Sequence, residues 1–258
     1  MSSILFEIKN SVAIITLNRP EKFNAFNREM SFLLQKILDD CVADKNIRCI
    51  YITGNGKAFS AGQDLSELTK EDAPGLDKIL SEHYNPIVTR IRKIEKPIVC
   101  AVNGVAAGAG ANIALCCDVV VASVSASFIQ AFSKIGLIPD SGGTFILPRL
   151  IGFQKASALM MLGDKVSAED AEKMGMIYKI FPDEIFAEES MKIATTLSQM
   201  PTKGLAYTKQ ALNFSIINSL EQQLKVEDEL QFAAGSTYDY SEGVKAFLEK
   251  RLPVFKGE

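Results

Sequence analysis

Two stretches rich in small residues are candidates for binding an oxygen or an anion through backbone amides. One is the loop AFSAGQDL, Ala58 to Leu65, and the other is the helix start Gly108-Ala109-Gly110; each follows a predicted strand. The first amides of a helix have no internal acceptor and lie at the positive end of the helix dipole. If one amide from each stretch pointed to the same place, the pair would form an oxyanion hole, which stabilises a thioester enolate by about 2.7 to 4 kcal/mol per donor. Small residues at a helix start also allow tight packing against a neighbour, and the sequence leaves both readings open.

The turn Pro139-Asp140-Ser141-Gly142-Gly143 places one carboxylate in an otherwise apolar segment. Such a turn is typical of a helix N-cap, so a capping role for Asp140 is one reading. An acid/base role is the other, because a single carboxylate can take a proton from one carbon, hold it and return it to another. The helix start would lower the pKa of Asp140 and its apolar neighbours would raise it, so the sequence does not decide its basicity.

Several other kinds of site are disfavoured by the residues that the chain lacks. His83 is the single histidine, so a Ser-His-Asp relay would have to use it, and a histidine-based metal site is nearly excluded. We expect His83 to lie in a helix and to face solvent or a partner chain. Ile113 stands where a dinucleotide fingerprint needs a small residue, and the Gly-Lys-Ser/Thr motif of a phosphate-binding loop is absent. The five cysteines lie in apolar or helical patterns and predict reduced, buried thiols.

Composition and charge indicate an ordinary globular protein. The chain has 258 residues, of which 47% are hydrophobic and 23% charged, and its formal net charge is -3. A chain of this length can bury a large core, and its charge provides no overall basic field for nucleic acid. The N-terminus lacks the basic and apolar regions of a signal peptide, and no apolar run is long enough to span a membrane. We therefore expect a cytoplasmic protein with neither membrane nor nucleic-acid partners.

Hydrophobic periodicity predicts alternating strands and helices. A hairpin is expected at 4–9 and 12–18, a helix at 28–42, and buried strands at 48–54 and 98–102. A turn at Asn103-Gly104 separates the last of these strands from the helix start at 108. Further helices are predicted at 76–93, 154–162, 167–174 and 183–199, and short strands at 126–129 and 177–181.

The chain is predicted to divide near Pro201. Residues 1–200 would form one α/β core, because strands and helices alternate there. Residues 201–258 read as helical throughout and would form a region that packs on partner subunits. The acidic segment 66–74 is expected at the surface. Together with the following helix, it would line one side of a ligand pocket.

Three motifs together resemble those of the crotonase (enoyl-CoA hydratase/isomerase) superfamily: AFSAGQDL, KPIVCAVNGVAAGAGANIALCCDVVVAS and AFSKIGLIPDSGGTFILPRLIG. The opening NRPEKFNA and the C-terminal DYSEGVKAFLEKRLPVFKG extend the resemblance over nearly the whole chain. It implies an α/β fold, a spiral of β-β-α units with a C-terminal helical tail, and trimers usually paired into hexamers. It also implies an acyl-CoA substrate, so that coenzyme A enters with the substrate; we expect no separate cofactor and no metal.

The resemblance assigns roles to particular residues. It implies an oxyanion hole built from the backbone amides of Ala61 and Ala109, with Asp140 as the acid/base group. The tail of the same or of a neighbouring subunit would approach the adenine end of coenzyme A. The other residues expected to contact the substrate are Lys22, Phe23, Ala25, Gly62, Gln63, Asp64, Leu65, Gly108, Gly110, Asn112, Phe132, Phe247 and Lys250.

Two acids used by the hydratases of this superfamily are missing. Hydratases carry glutamates at the positions that Asn112 and Phe132 occupy here. Adding water to a double bond needs one group to activate the water and another to protonate carbon, so the loss of both disfavours hydration. At the position of Asp140 this chain resembles the isomerase branches, which also carry a carboxylate there. The motif sequences are most similar to those of the branch of ring 1,2-epoxyphenylacetyl-CoA isomerases. These enzymes form oxepin-CoA in phenylacetate degradation and also shift Δ3 double bonds to Δ2.

Three alternatives stay open. One is a general Δ3,Δ2-enoyl-CoA isomerase of fatty-acid oxidation. Another is an aryl-CoA hydrolase similar to the dehalogenase branch, in which Asp140 would attack carbon and His83 would activate water, although that branch uses a tryptophan and this chain has none. The third is a non-catalytic subunit that binds coenzyme A, which the replacements at Asn112 and Phe132 would also suit.

Overall fold

The computed structural model describes residues 2–68 and 74–258, so residues 69–73 of the predicted surface segment lie outside the described residues. Within the described ranges the strands form two sheets. The strands are β1 Ile4–Lys9, β2 Val12–Leu17, β3 Cys49–Gly54, β4 Ala58–Ser60, β5 Ile98–Val102, β6 Val105–Ala107, β7 Val119–Ser123, β8 Ser127–Ile129, β9 Lys165–Ser167 and β10 Lys179–Phe181.

The larger sheet has six strands in the order β1-β2-β3-β5-β7-β10. The hairpin β1–β2 is antiparallel, and every other neighbouring pair in this sheet is parallel. β5, with the sequence IVCAV, is buried along its whole length. That pattern is typical of a parallel strand covered on both faces, which is why it reads as a continuous apolar run.

The smaller sheet has four strands in the order β4-β6-β8-β9. From β3 to β8 the chain alternates between the sheets, because β3, β5 and β7 belong to the larger one and β4, β6 and β8 to the smaller. Each turn of the chain therefore adds one strand to each sheet. This repeat confirms the predicted α/β spiral of β-β-α units, and only helices follow residue 201.

The helices confirm most of the predicted segments. The predicted helix 76–93 is continuous but contains a π-helical stretch, Ile79–Tyr84, between two α-helical ends. The α-helices are α1 Arg28–Ala43, α2 Leu76–Lys78, α3 Asn85–Lys93, α4 Ala109–Leu115, α5 Gly143–Ile151, α6 Phe153–Leu162, α7 Ala168–Lys173, α8 Asp183–Gln199, α9 Thr202–Ser215, α10 Leu220–Gly235 and α11 Tyr238–Glu249.

The larger sheet is packed on both faces. Ile50 and Ile52 point into a core shared with α1 and α3, whereas Tyr51, between them in the sequence, points to the other face. There Tyr51 packs against α8, and its hydroxyl lies 2.8 Å from the Ser190 hydroxyl. The alternation follows from the two-residue period of a strand.

The helical tail is attached to the core by buried polar contacts. The Lys209 ammonium in α9 donates to Asp118 at 2.9 Å and to the Ile91 carbonyl at 2.7 Å. Within the tail itself, the buried Asp239 carboxylate accepts from the amides of residues 256 and 257 at 2.7 and 2.8 Å. Arg48, just before β3, donates to the backbone carbonyls of residues 200 and 255 and to the hydroxyl of residue 202.

Candidate active site

The loop after β4 and the start of α4 lie directly against each other. A Cβ added to Gly62 would lie 2.9 Å from the Ala107 carbonyl oxygen and 3.3 Å from the Ala109 nitrogen. A Cβ added to Gly110 would lie 2.6 Å from the carbonyl oxygen of Ser60. The approach is therefore possible only because these positions are glycine, and Gly62 also adopts φ +88°. The two stretches of small residues thus meet.

The predicted donor role of Ala61 is wrong. Its N–H donates to the Phe23 carbonyl oxygen at 2.9 Å, so that amide is already used inside the protein. The next residues form a parallel bridge with Phe26, in which the Phe26 N–H donates to Gly62 at 2.7 Å and the Asp64 N–H donates to Phe26 at 2.9 Å. Backbone groups alternate in direction along an extended chain, so the Gln63 N–H points to the opposite side. It has no acceptor among the described residues.

The Ala109 amide is available, in keeping with its predicted role. Ala109 is the first residue of α4, and its N–H has no acceptor in the part of the chain that the structure describes. Gly108 precedes it at φ +53°, and its own N–H donates to the Ile129 carbonyl at 2.8 Å. The Phe132 ring lies over this point, 3.7 Å from the position of a Cβ on Gly108. The Gln63 and Ala109 amides, one from each stretch, are therefore both without an acceptor within the described ranges.

Asp140 does not cap α5. The N-cap is Gly142, no side chain bonds to the helix start, and the Gly143 N–H is taken by the Asp140 carbonyl at 2.8 Å. The carboxylate instead accepts from the Ser141 hydroxyl at 2.8 Å, and its second oxygen has no partner among the described residues. Burial raises the pKa of Asp140, an effect that the Ser141 hydrogen bond opposes without cancelling. A half-buried carboxylate with a raised pKa and one free oxygen is well suited to accepting a proton.

Asn112 connects the turn of Asp140 to the helix of Ala109. It lies one helical turn after Ala109 on α4, and its side-chain N–H donates to the Asp140 carbonyl oxygen at 2.8 Å. Gln130 in turn donates to the Asn112 side-chain oxygen at 2.8 Å. Asn112 and Phe132 are both buried, and neither side chain carries a charge.

Tyr84 connects the same region to the loop of Gln63. Its hydroxyl donates to Gln63 Oε1 at 2.7 Å, and its ring packs edge-on against Phe26 with centroids 6.1 Å apart. Burial raises the pKa of Tyr84 well above its usual value, and the negative charges of Asp140, Glu67 and Asp64 raise it further. Tyr84 therefore lies between the Asp140 turn and the loop, close enough to both to respond to their charges.

The π-helical stretch that carries Tyr84 has a local cause. Pro86 has no N–H for the Glu82 carbonyl, and its ring would clash with that carbonyl in a regular α-helix. The Asn85 N–H instead reaches back five residues to the Leu80 carbonyl, and Gln35 donates to the Glu82 carbonyl at 2.7 Å. Such stretches are frequent at functional sites.

The predicted coenzyme A contacts lie on two adjoining loops. Phe23 and Leu65 are 55% and 49% exposed, and Lys22 is exposed beside them, which leaves a partly apolar rim with one cation. Asp64 lies under the rim and forms an ion pair with Arg19 at 2.8 Å. Although burial opposes it, the Ser66 and Arg19 hydrogen bonds hold the pKa of Asp64 below its usual value. Ala25 is buried, and its carbonyl also accepts from Arg19.

Phe247 and Lys250 are not brought to this site within one chain. Phe247 is 83% exposed on α11 and lines a cavity of about 460 Å³ together with Phe255 and Pro201. Lys250 ends α11 at φ +54°.

The expectation that His83 faces solvent or a partner is wrong. His83 is fully buried in the π-helical stretch, edge-on to Phe32, and Arg28 lies 3.4 Å from its Nε2 atom. Burial lowers the pKa of His83, and the Arg28 charge lowers it further. Sequence periodicity did not reveal this, because the π-helical stretch rotates the residues after Ile79 relative to an α-helix.

The cysteines are buried and unpaired, as the sequence predicts. Burial raises the pKa of Cys41 to about 11 and of Cys49 to about 12, so both thiols stay protonated. The described ranges hold no cluster of three His, Cys, Asp or Glu side chains that could bind a metal ion. None of the helices in those ranges is both long and apolar enough to cross a bilayer.

Comparisons with known proteins agree with this architecture. Residues 7–258 match the enoyl-CoA hydratase/isomerase family model. The chain is 47% identical to a 1,2-epoxyphenylacetyl-CoA isomerase from Escherichia coli K12, with both chains covered completely, and 43% identical to a probable enoyl-CoA hydratase from Rhodobacter capsulatus over 99% of this chain and 98% of that one. A crystal structure of an enoyl-CoA hydratase/isomerase from Mycobacterium abscessus superposes with a TM-score of 0.93 at 34% identity, covering 99% of this chain and all of that one. The chain belongs to the crotonase superfamily of enzymes, as an enoyl-CoA hydratase/isomerase.

Proposed function

We propose that this enzyme is an acyl-CoA isomerase that uses Asp140 as its single acid/base group. The observation that carries the proposal is the half-buried Asp140 carboxylate, linked through Asn112 to the helix that offers the Ala109 amide. The two positions that bear glutamate in hydratases hold Asn112 and Phe132, so no carboxylate pair is available for adding water.

In the proposed reaction, the thioester oxygen accepts hydrogen bonds from the Gln63 and Ala109 amides. Asp140 takes a proton from C2 of a 3-enoyl thioester, and the negative charge moves onto that oxygen. Asp140 then returns the proton to C4, which shifts the double bond from Δ3 to Δ2 without gain or loss of atoms. The raised pKa of Asp140 favours both halves of the cycle, since the group must accept the proton and also hold it.

We propose ring 1,2-epoxyphenylacetyl-CoA as the physiological substrate, with oxepin-CoA as product. Support comes from the full-length similarity to the Escherichia coli 1,2-epoxyphenylacetyl-CoA isomerase. A general Δ3,Δ2-enoyl-CoA isomerase is the second candidate, because the chain is also 36% identical to a trans-2-decenoyl-[acyl-carrier-protein] isomerase from Streptococcus mutans. Coenzyme A would lie along the exposed rim formed by Lys22, Phe23 and Leu65.

The assembly proposed is a cytoplasmic homotrimer or hexamer. None of the side chains of α10 is buried within one chain, and the exposed ones include the apolar residues Leu220, Leu224 and Phe232. Exposed apolar side chains on one helix are stabilised when another subunit covers them. The tail residues Phe247 and Lys250 would then approach the adenine end of a neighbour's ligand.

The decisive experiment compares the wild type with Asp140→Asn on 1,2-epoxyphenylacetyl-CoA and on linear 3-enoyl-CoAs. We expect kcat to fall by about 100- to 10,000-fold on either substrate, the range for loss of a general acid/base group. Asp164→Asn is the matched control, because Asp164 is exposed and lies outside the site. Wild-type turnover by Asp140→Asn would overturn the proposal.

Two other readings are tested with the same protein. A non-catalytic subunit predicts no deuterium exchange at C2 or C4 of a bound acyl-CoA in heavy water, whereas an isomerase exchanges these protons. The hydrolase reading needs His83 to activate water, and the burial and lowered pKa of His83 argue against it. Oxygen-18 from solvent in the product would revive it.

A further inference from the structure

We propose that Asn112 and Gln130 act as a directional amide pair that positions Asp140, which makes Asn112 a positioning residue of the reaction. The inference rests on the proposed function, since it concerns the group assigned there as acid/base. It gives the position that holds a hydratase glutamate a different task in this chain. Asn112 carries no carboxylate, but its side chain binds the backbone of Asp140, the residue whose carboxylate is proposed to react.

The first observation is the hydrogen bond that the Asn112 side-chain amide donates. The side chain is 1% exposed, and its Nδ2 atom donates to the Asp140 carbonyl oxygen at 2.8 Å. The same carbonyl accepts from the Gly143 N–H at 2.8 Å, so both of its lone pairs are used. A Cβ on Gly143 would lie 2.3 Å from Nδ2, so the glycine makes room for this contact.

The second observation is the direction of the pair. The Asp140 carbonyl needs a donor, so Asn112 must present its N–H₂ group there and its oxygen to the other side. Gln130, which is 5% exposed, meets that oxygen with its own Nε2 at 2.8 Å. Gln130 Oε1 is buried without a partner among the described residues. Turning either amide over would bring two oxygens together, so the pair has one favourable orientation.

The third observation is that the turn needs restraint. Ser141 and Gly142 follow Asp140 at φ +51° and +75°, and the left-handed conformation is unfavourable for serine. The Asp140 carboxyl extends from this backbone, and one of its oxygens accepts from the Ser141 hydroxyl. Asn112 joins the turn to α4, one helical turn from Ala109. The pair thereby fixes the proton acceptor relative to one of the oxyanion donors, which is the geometry on which the rate depends.

The main test is Asn112→Asp, which keeps the shape of the side chain and replaces the donor with an acceptor. We expect kcat to fall by about 10- to 100-fold, because small misplacements of a reacting group have effects of that size. KM should stay within about two-fold, since the coenzyme A contacts are untouched. The acid limb of the pH–rate profile should move to higher pH, because a new carboxylate beside Asp140 raises the pKa of Asp140.

Asn112→Ala separates positioning from charge, and Gln130→Glu tests the orientation of the Asn112 amide from a residue that makes no contact with Asp140. Asn112→Ala removes the donor without adding charge, so kcat should fall by about 10-fold while the acid limb stays in place. Gln130→Glu does not touch Asp140, yet it should lower kcat as well, because Asn112 then turns its N–H₂ toward the new carboxylate. Asn213→Asp is the matched control: Asn213, in α9, donates to the Arg92 carbonyl in α3, so the variant removes a comparable amide-to-carbonyl bond far from the Asp140 turn and should leave kcat unchanged.

The outcomes distinguish this inference from the proposed function. If Asp140→Asn is inactive while Asn112→Ala and Gln130→Glu keep wild-type kcat and pH profile, the positioning role is wrong and the isomerase proposal stands. If Asp140→Asn retains wild-type turnover, the isomerase proposal fails first. Loss of kcat in Gln130→Glu at unchanged Tm would support the directional pair even if the Asn112 variants do not fold.

Discussion

The Tyr84 hydroxyl donates a hydrogen bond of 2.7 Å to the side-chain oxygen of Gln63, the residue whose backbone N–H is free at the proposed site. This contact joins the helical segment 76–93 to the loop after β4. It depends on the π-helical stretch, which Pro86 and Gln35 stabilise. The position of a backbone donor is therefore set partly by a side chain from a different part of the chain.

Replacing Tyr84 with phenylalanine tests this connection. The ring packing against Phe26 is kept, and one hydrogen bond with a net value of about 1 kcal/mol is lost. We expect stability to fall by about that amount and kcat to fall by several-fold, because the Gln63 loop is less well held. Urea unfolding and steady-state kinetics measure the two effects. Unchanged kcat together with a lower unfolding free energy would limit Tyr84 to a structural role.

Gly62→Ala tests the close approach of the two loops. The added Cβ would lie 2.9 Å from the Ala107 carbonyl, and φ +88° is unfavourable for alanine. We expect the loop to move away from Ala109 and kcat to fall by about 100-fold. Gly204→Ala, in α9, is the control, since a Cβ there makes only ordinary contacts with Pro201. If Gly62→Ala kept wild-type kcat, the convergence of the two amides would not matter for the rate.

Asp140 should make activity and stability depend on pH in opposite ways. Its pKa is raised by burial, and the ionised form accepts the proton, so kcat/KM should fall as pH drops through a value above the usual 3.9 for aspartate. A raised pKa in the folded state means that folding favours the protonated form. That stabilising contribution is present at low pH and is lost as pH rises through the raised pKa.

Asp140→Asn should consequently increase Tm at neutral pH although it removes most of the turnover. The increase should shrink at lower pH, where the wild-type carboxyl is also neutral. Calorimetry at pH 7 and at progressively lower pH measures this difference. A destabilised Asp140→Asn at neutral pH would show that the carboxylate charge stabilises the fold instead.

The proposed assembly predicts that Phe232→Asp weakens subunit association. Phe232 is 81% exposed on α10, and burying a charged group without a partner in an interface is strongly unfavourable. We expect the mass measured by light scattering to fall from that of a trimer or hexamer, while Phe232→Leu keeps the wild-type mass. A wild-type protein that is monomeric at micromolar concentration would contradict the assembly itself.

The sequence allowed the main elements and the two small-residue stretches to be identified, because long apolar periods and helix starts are local signals. That the two stretches meet was implied only by the resemblance to the crotonase superfamily. The five-residue β7 was not predicted, nor were β4, β6 and β9, which have three residues each and show no period. These three short strands form most of the smaller sheet, which brings Gly62 against Ala109.

The errors at the site have a common physical cause. Ala61 and Gln63 lie in the same loop, and only the long-range bridge to Phe26 determines which amide stays free. Asp140 was a plausible cap by its turn sequence, yet Ser141 takes its carboxylate. Contacts made only in the folded structure decided both cases, a bridge to a distant segment for Ala61 and a neighbouring hydroxyl for Asp140.

Arg48 has a consequence for the order of events during synthesis. Burial lowers its pKa, and its three acceptors lie 152, 154 and 207 residues further along the chain. A nascent polypeptide that stops at the α/β body would leave this guanidinium at the base of β3 without those partners. We infer that co-translational folding remains incomplete until the segment around Phe255 has left the ribosome and returned to a strand made near the beginning.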